Sequence, residues 1–103
     1  MSVIAEFSVL PVGVGESISK YVAQVMEILE DSGLPYKLGP MGTSVEGEWD
    51  EVFGVIKQCY ERLSEQCGRL DMAIKVDWRT GPAGRLESKI ASVQEHLNAT
   101  AKT

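Results

Sequence analysis

The stretch from Leu70 to Arg79 sets the strongest limit on what this chain can fold into. Leu70, Met72, Ile74, Val76 and Trp78 alternate with Asp71, Ala73, Lys75, Asp77 and Arg79. That two-residue period becomes one apolar and one polar face only in an extended strand. A helix would scatter the same side chains around its axis. The chain must therefore build a sheet with one side covered and the other side polar.

A second strand is predicted over residues 2–11, where Val3, Ala5, Phe7 and Val9 alternate with Ile4, Glu6, Ser8 and Leu10. Pro11-Val12-Gly13-Val14-Gly15 ends that pattern. Ile18, Tyr21, Val22, Val25, Ile28 and Leu29 then recur at helical spacing, which predicts a helix over 17–32 with Ser17 as N-cap and Gly33 in the left-handed position beyond its end. Pro35 forbids continuation. Tyr36-Lys37-Leu38 and Thr43-Ser44-Val45-Glu46 flank Gly39-Pro40-Met41-Gly42 and read as a β-hairpin. A second amphipathic helix is expected over 49–67, with Glu48, Asp50 and Glu51 placed to complement its positive end. Leu86, Ile90, Val93 and Leu97 predict a last helix over 85–98, followed by a frayed tail 99–103.

With 103 residues there is room for one domain, spanning 1–103. The order βαββαβ predicts an α+β ferredoxin-like sandwich with an additional C-terminal helix: a four-stranded antiparallel sheet carrying two helices on one face. Strands one and three are expected at its centre, with the fourth beside the first. The helices would cover Val3, Ala5, Phe7, Val9, Met72, Ile74, Val76 and Trp78. Glu6, Ser8, Lys75 and Asp77 would gather on the other face, joined by Ser44 and Glu46 where Thr43 and Val45 point inward.

Ten Lys and Arg against fifteen Asp and Glu give a formal charge of −5, the wrong sign for holding nucleic acid or an anionic membrane. A cationic ligand would gain from that field. No basic leader or membrane-length apolar run appears, so a cytoplasmic location is expected. Cys59 and Cys67 on one helix stand about 12 Å apart, beyond disulfide reach, and with one histidine, His96, no zinc ligand set exists. The Gly13-x-Gly15 turn lacks the third glycine of a dinucleotide fingerprint, because position 18 is Ile. Gly42-Thr43-Ser44 has no P-loop lysine. His96 reads as a solvated residue near a helix end, and Trp49, Phe53, Tyr60 and Trp78 read first as core residues.

Carboxylates enclosed on a sheet face need partners, and an organic cation or amine donors would supply them. Glu6, Glu46 and Asp77, with the hydroxyls of Ser8 and Ser44, form such a set. Two other readings of that face stand beside it: a cofactor-free enzyme using one carboxylate as base, and a purely structural assembly seam.

Gly39-Pro40-Met41-Gly42-Thr43, Glu46-Gly47, Lys75-Val76-Asp77 with Arg79, and Leu86-Glu87-Ser88-Lys89 with Ser92-Val93 together resemble the thiamine-binding protein family. The Gly-Pro-Met-Gly-Thr hairpin is the most specific of these. The segment Val14-Gly15-Glu16-Ser17 departs from the family pattern. The resemblance implies a subunit that assembles through its sheet into dimers or tetramers and binds thiamine or its hydroxymethylpyrimidine part without chemistry; no cofactor is expected, and no ligand spacing supports a metal site. It adds Thr43 to Ser44 and Glu46 as ligand candidates. An aminopyrimidine edge could meet Glu46 or Glu6, with Trp49 as a stacking surface.

Overall fold

The computed structural model describes residues 2–15, 18–81, 84, 86, 91 and 93. Six elements follow one another: β1 (Ser2–Pro11), α1 (Ser19–Ser32), β2 (Tyr36–Leu38), β3 (Thr43–Gly47), α2 (Trp49–Ser64) and β4 (Leu70–Arg79). The strands form one antiparallel sheet in the order β2-β3-β1-β4, the arrangement expected for the ferredoxin-like sandwich. Of the C-terminal helix anticipated over 85–98, Leu86, Ala91 and Val93 are described and helical. Its remaining residues and the tail 99–103 lie outside the described residues.

The register assigns every side chain to a face. Opposed residues in an antiparallel pair point the same way, and β1 pairs Val3 with Trp78, Ala5 with Val76, Phe7 with Ile74 and Val9 with Met72. On its other edge β1 sets Ala5 against Val45 and Phe7 against Thr43. This face meets Tyr21, Val25, Ile28 and Leu29 of α1 and Val52, Val55, Ile56, Cys59 and Leu63 of α2 to form the core. Helical spacing alone selects those positions.

The helix ends differ in part from expectation. α2 starts at Trp49 behind Glu48, whose side chain accepts from the N3 backbone while the Glu51 carboxylate accepts from the Glu48 N–H at 3.0 Å, a reciprocal capping box. It stops at Ser64 rather than 67. The Leu63 carbonyl there accepts from Gln66 N–H at 3.0 Å and from Cys67 Sγ at 3.1 Å, and these bonds tighten the chain into a turn. α1 begins at Ser19 rather than 17, with Ile18 at the cap position and no side-chain cap. The expected cap Ser17 lies outside the described residues. Gly33 closes α1 in the left-handed conformation, φ 73°, as its sequence position required.

Three of the four aromatics expected in the core are not buried there. Trp49 and Trp78 are each 51% exposed, and Tyr60 is 43% exposed. Trp78 faces the helix side but stands on β4, at the end of the sheet, where helix cover runs out. Tyr60 occupies the outer flank of α2. Phe53 packs against the core.

Two outcomes follow from this packing. Leu29, fully buried between α1 and the sheet, should cost about 2–5 kcal/mol when replaced by Ala, read from the midpoint shift in urea unfolding. Burial pushes the Cys59 thiol up to about 11, against a smaller opposite pull from Arg62. In the folded protein at neutral pH, a thiol reagent should therefore label the half-buried Cys67 well before Cys59, with the difference vanishing in denaturant.

Candidate functional site

The face turned away from the helices collects the polar members of every strand. One row crosses all four: Lys37 opposite Ser44, Ser44 opposite Glu6, and Glu6 opposite Lys75. At roughly 4.8 Å per strand the row spans about 14 Å. The next row holds Glu46, Ile4 and Asp77. A cleft of about 480 Å³ lies along these rows, lined by Glu6, Ser44, Asp77, Lys37 and Lys75, with Ile4, Leu38 and Leu86 as its apolar walls.

Charge alternates across the cleft: a cation at each end, a carboxylate and a hydroxyl between. Among the described residues, neither the Glu6 carboxylate nor the Ser44 hydroxyl is engaged by a hydrogen bond or ion pair. Asp77 is tied to Arg79 two residues on, Oδ1 to Nε at 3.3 Å. The groups at the middle of the row are thus available to a ligand, while Asp77 in the next row is paired to Arg79.

Glu46 has a different position from its neighbours. It is 2% exposed, and the Gly84 N–H is shared between its two carboxylate oxygens, at 3.2 Å to Oε1 and 3.1 Å to Oε2. A buried carboxylate is tolerated only with such donors. The bond places Gly84 against the Glu46 carboxylate. Leu86, 9% exposed, lines the cleft together with Ile4. Glu46 itself lines an adjoining cavity with Ser2, Leu34, Glu48, Glu51 and Gly84.

Ser8 shares the open face but lies one row further along, in a shallow groove beside Met41, Ala73 and Lys75. Thr43 is buried on the opposite side of the sheet, in an apolar cavity with Phe7, Val22, Val25 and Leu38. Trp49 sits on the first turn of α2 with its ring 4.6 Å from that of Phe53, tilted by 31°. Sequence-selected Glu6, Ser44 and Asp77 are therefore brought together; Ser8 and Glu46 flank them; Thr43 and Trp49 do not line the cleft. Sequence reasoning missed Lys37 and Leu86. Lys37 was recoverable from the hairpin, because a four-residue connection between Leu38 and Thr43 sets Lys37 against Ser44. No local signal announced Leu86, whose place beside Ile4, Glu6 and Ser44 in the cleft lining is set by tertiary structure.

The hairpin shapes the rim. Gly39 N–H donates to the Gly42 carbonyl at 2.8 Å. A Cβ on Gly39 would stand 2.9 Å from that same oxygen, and one on Gly42 would stand 3.1 Å from the Phe7 carbonyl and 3.4 Å from Glu6 Cγ. Glycine at both positions lets the turn lie close against β1 beside the Glu6 side chain. Among the described residues no three His, Cys, Asp or Glu side chains converge as a metal-holding group, and no described helix is long and apolar enough to cross a membrane.

Comparison with known proteins gives this geometry its context. The family model described as thiamine-binding protein matches residues 5–94. UPF0045 protein Mb1933 of Mycobacterium bovis is 39% identical over 98 residues, which is 94% of this chain and 96% of that protein. The crystal structure of the hypothetical protein MJ1052 from Methanocaldococcus jannaschii superposes with a TM-score of 0.83 at 31% identity, covering 91% of this chain and 97% of the other. A Thermotoga maritima protein assigned provisionally to thiamine biosynthesis or salvage shares the fold at a TM-score of 0.79 and 22% identity, over 90% and 99% of the two chains. A family match over most of the chain, joined to relatives of nearly its own length, makes this chain a member of the thiamine-binding protein family.

Proposed function

We propose that the chain binds thiamine, or its hydroxymethylpyrimidine part, without chemical turnover, in the cleft on the open sheet face. It would do so as a cytoplasmic homo-oligomer that stores, senses or delivers the compound. The observation that carries this reading is the uncommitted Glu6 carboxylate beside the uncommitted Ser44 hydroxyl, set between apolar walls. An aminopyrimidine offers an exocyclic amine that donates and ring nitrogens that accept. A carboxylate and a hydroxyl on neighbouring strands match that edge in one plane. The positive thiazolium gains from Asp77 and from the acidic balance of the chain. Ile4 and Leu86 give the ring faces apolar contact.

In this reading Glu6, Ser44 and Asp77 touch the ligand, and Ser8 extends the polar floor. Glu46 holds Gly84 in place through the bonds that its two oxygens accept. The family match and the thiamine-related description of the Thermotoga maritima fold relative support the choice of ligand.

Isothermal titration of thiamine and of hydroxymethylpyrimidine decides the matter. Wild-type protein should bind at least one of them, and Glu6→Gln and Ser44→Ala should each weaken it by roughly tenfold or more, as expected for loss of a hydrogen bond involving a charged or buried partner. Thr43→Ser and Trp49→Phe, outside the cleft, should leave affinity unchanged. Full affinity in both cleft variants would remove the proposed site, and consumption of either compound would replace binding with catalysis.

A further inference from the structure

Lys75 closes the polar row on the β4 side. Its register partner is Glu6, and side chains directly opposed on one face of an antiparallel pair stand within reach of each other. Opposite charges so placed attract, yet these two do not close on one another. Among the described residues, Lys75 and Glu6 make neither a hydrogen bond nor an ion pair, with each other or with any neighbour. The hairpin supplies the reason. A Cβ on Gly42 would stand 3.4 Å from Glu6 Cγ, so the Glu6 stem leans towards the hairpin on the β3 side of β1, away from β4. The space beside the two charges is open: both line the cleft of about 480 Å³, and both line the groove of about 150 Å³ next to it.

That groove continues the cleft along the strands. Its floor is Ser8 opposite Ala73, two small side chains between the row of Glu6 with Lys75 and the row of Leu10 with Asp71. The Ser8 hydroxyl is likewise unengaged among the described residues. An ammonium and a hydroxyl therefore face the groove as donors, with the Glu6 carboxylate beside them. A free anion there meets attraction from Lys75 and repulsion from Glu6, which oppose each other. An anion joined to an amine escapes that conflict: the amine occupies Glu6, and the anion is left with Lys75 and Ser8.

We propose that the cleft takes the phosphate monoester of the pyrimidine alcohol in preference to the free alcohol, with the ring amine on Glu6 and the phosphate held by Lys75 and Ser8; this rests on the pyrimidine-binding role proposed for the cleft. In that compound the amine and the hydroxymethyl group are on adjacent ring carbons. Neighbouring strands stand about 4.8 Å apart, so a ring with its amine on Glu6 sets the ester within reach of Lys75 on the next strand. Lysine meets phosphate as a point charge, and the serine hydroxyl donates beside it. Thiamine carries a cation on the same carbon. Lys75 repels that cation, so thiamine turns the carbon towards Asp77 in the neighbouring row. Lys75 thereby sorts ligands by the charge attached next to the pyrimidine.

Isothermal titration of the full chain with hydroxymethylpyrimidine, its phosphate monoester, thiamine and inorganic phosphate tests it. Wild type should bind the monoester roughly tenfold or more tighter than the free alcohol, and inorganic phosphate far more weakly than the monoester. Lys75→Met should erase the preference for the monoester, Ser8→Ala should reduce it, and Lys75→Arg should keep it, with circular dichroism confirming the fold of each variant. Lys75→Met should tighten thiamine, because a like charge is removed. Equal wild-type affinity for alcohol and monoester, or a preference that survives Lys75→Met, overturns the proposal. So does a parallel loss of alcohol, monoester and thiamine in Lys75→Met, which marks a residue that only supports the site. The wild type alone separates the two readings. Binding of the alcohol or of thiamine with no preference for the phosphate defeats this inference and leaves the proposed function standing, whereas failure to bind any of the three pyrimidines defeats the proposed function itself.

Discussion

Everything on either face of this sheet depends on the alternation along β1. That strand is hydrogen-bonded on both edges, to β3 over Val3–Phe7 and to β4 along its whole length. Its odd residues Val3, Ala5, Phe7 and Val9 are buried under the helices, and its even residues carry Glu6 to the opposite side. A slip of one residue would exchange the two sets, exposing Phe7 and burying Glu6 against Leu29 and Val52. The apolar face fixes the register, and the register then aligns Lys37, Ser44, Glu6 and Lys75. The polar row is a consequence of core formation rather than an independent feature.

This is why so much of the fold, and the centre of the site, could be read from residue order. Alternation identified both long strands with their ends, and helical spacing identified both helices. The polar face of Glu6, Ser44 and Asp77 followed from parity alone. Features set by tertiary contact were not legible. The exposure of Trp78 comes from β4 being an edge, which no pattern within β4 reveals. The early stop of α2 comes from the bonds to the Leu63 carbonyl. The Gly84 N–H that Glu46 accepts lies thirty-eight positions away. Thr43 illustrates the opposite error: adjacency to Ser44 in a motif suggested a shared role, while the two-residue period sends its side chain through to the other side of the sheet.

The glycine hairpin links motif to site by space rather than by chemistry. Neither Gly39 nor Gly42 offers a side chain to a ligand, yet any side chain at Gly42 would press on the Phe7 carbonyl and on Glu6 Cγ. The turn therefore governs where the Glu6 side chain can lie. Met41, 88% exposed at the apex, is free of that constraint. A motif of this kind is read most usefully as a description of clearance around one carboxylate.

Glu6 and Glu46 show how one sheet face assigns opposite tasks to two carboxylates. Glu6 stands opposite Ser44 near the middle of the row, exposed and unengaged by any described residue, so a ligand amine meets a group that gives up only water. Glu46 is buried, with both oxygens committed to the Gly84 N–H, and any ligand donor would have to compete with that bond. Displacing it would leave the Gly84 N–H without that acceptor, so a ligand gains at Glu46 only what exceeds the bond it breaks. In the proposed reading, the buried carboxylate of Glu46 fastens Gly84 and the exposed carboxylate of Glu6 is the one offered to a ligand.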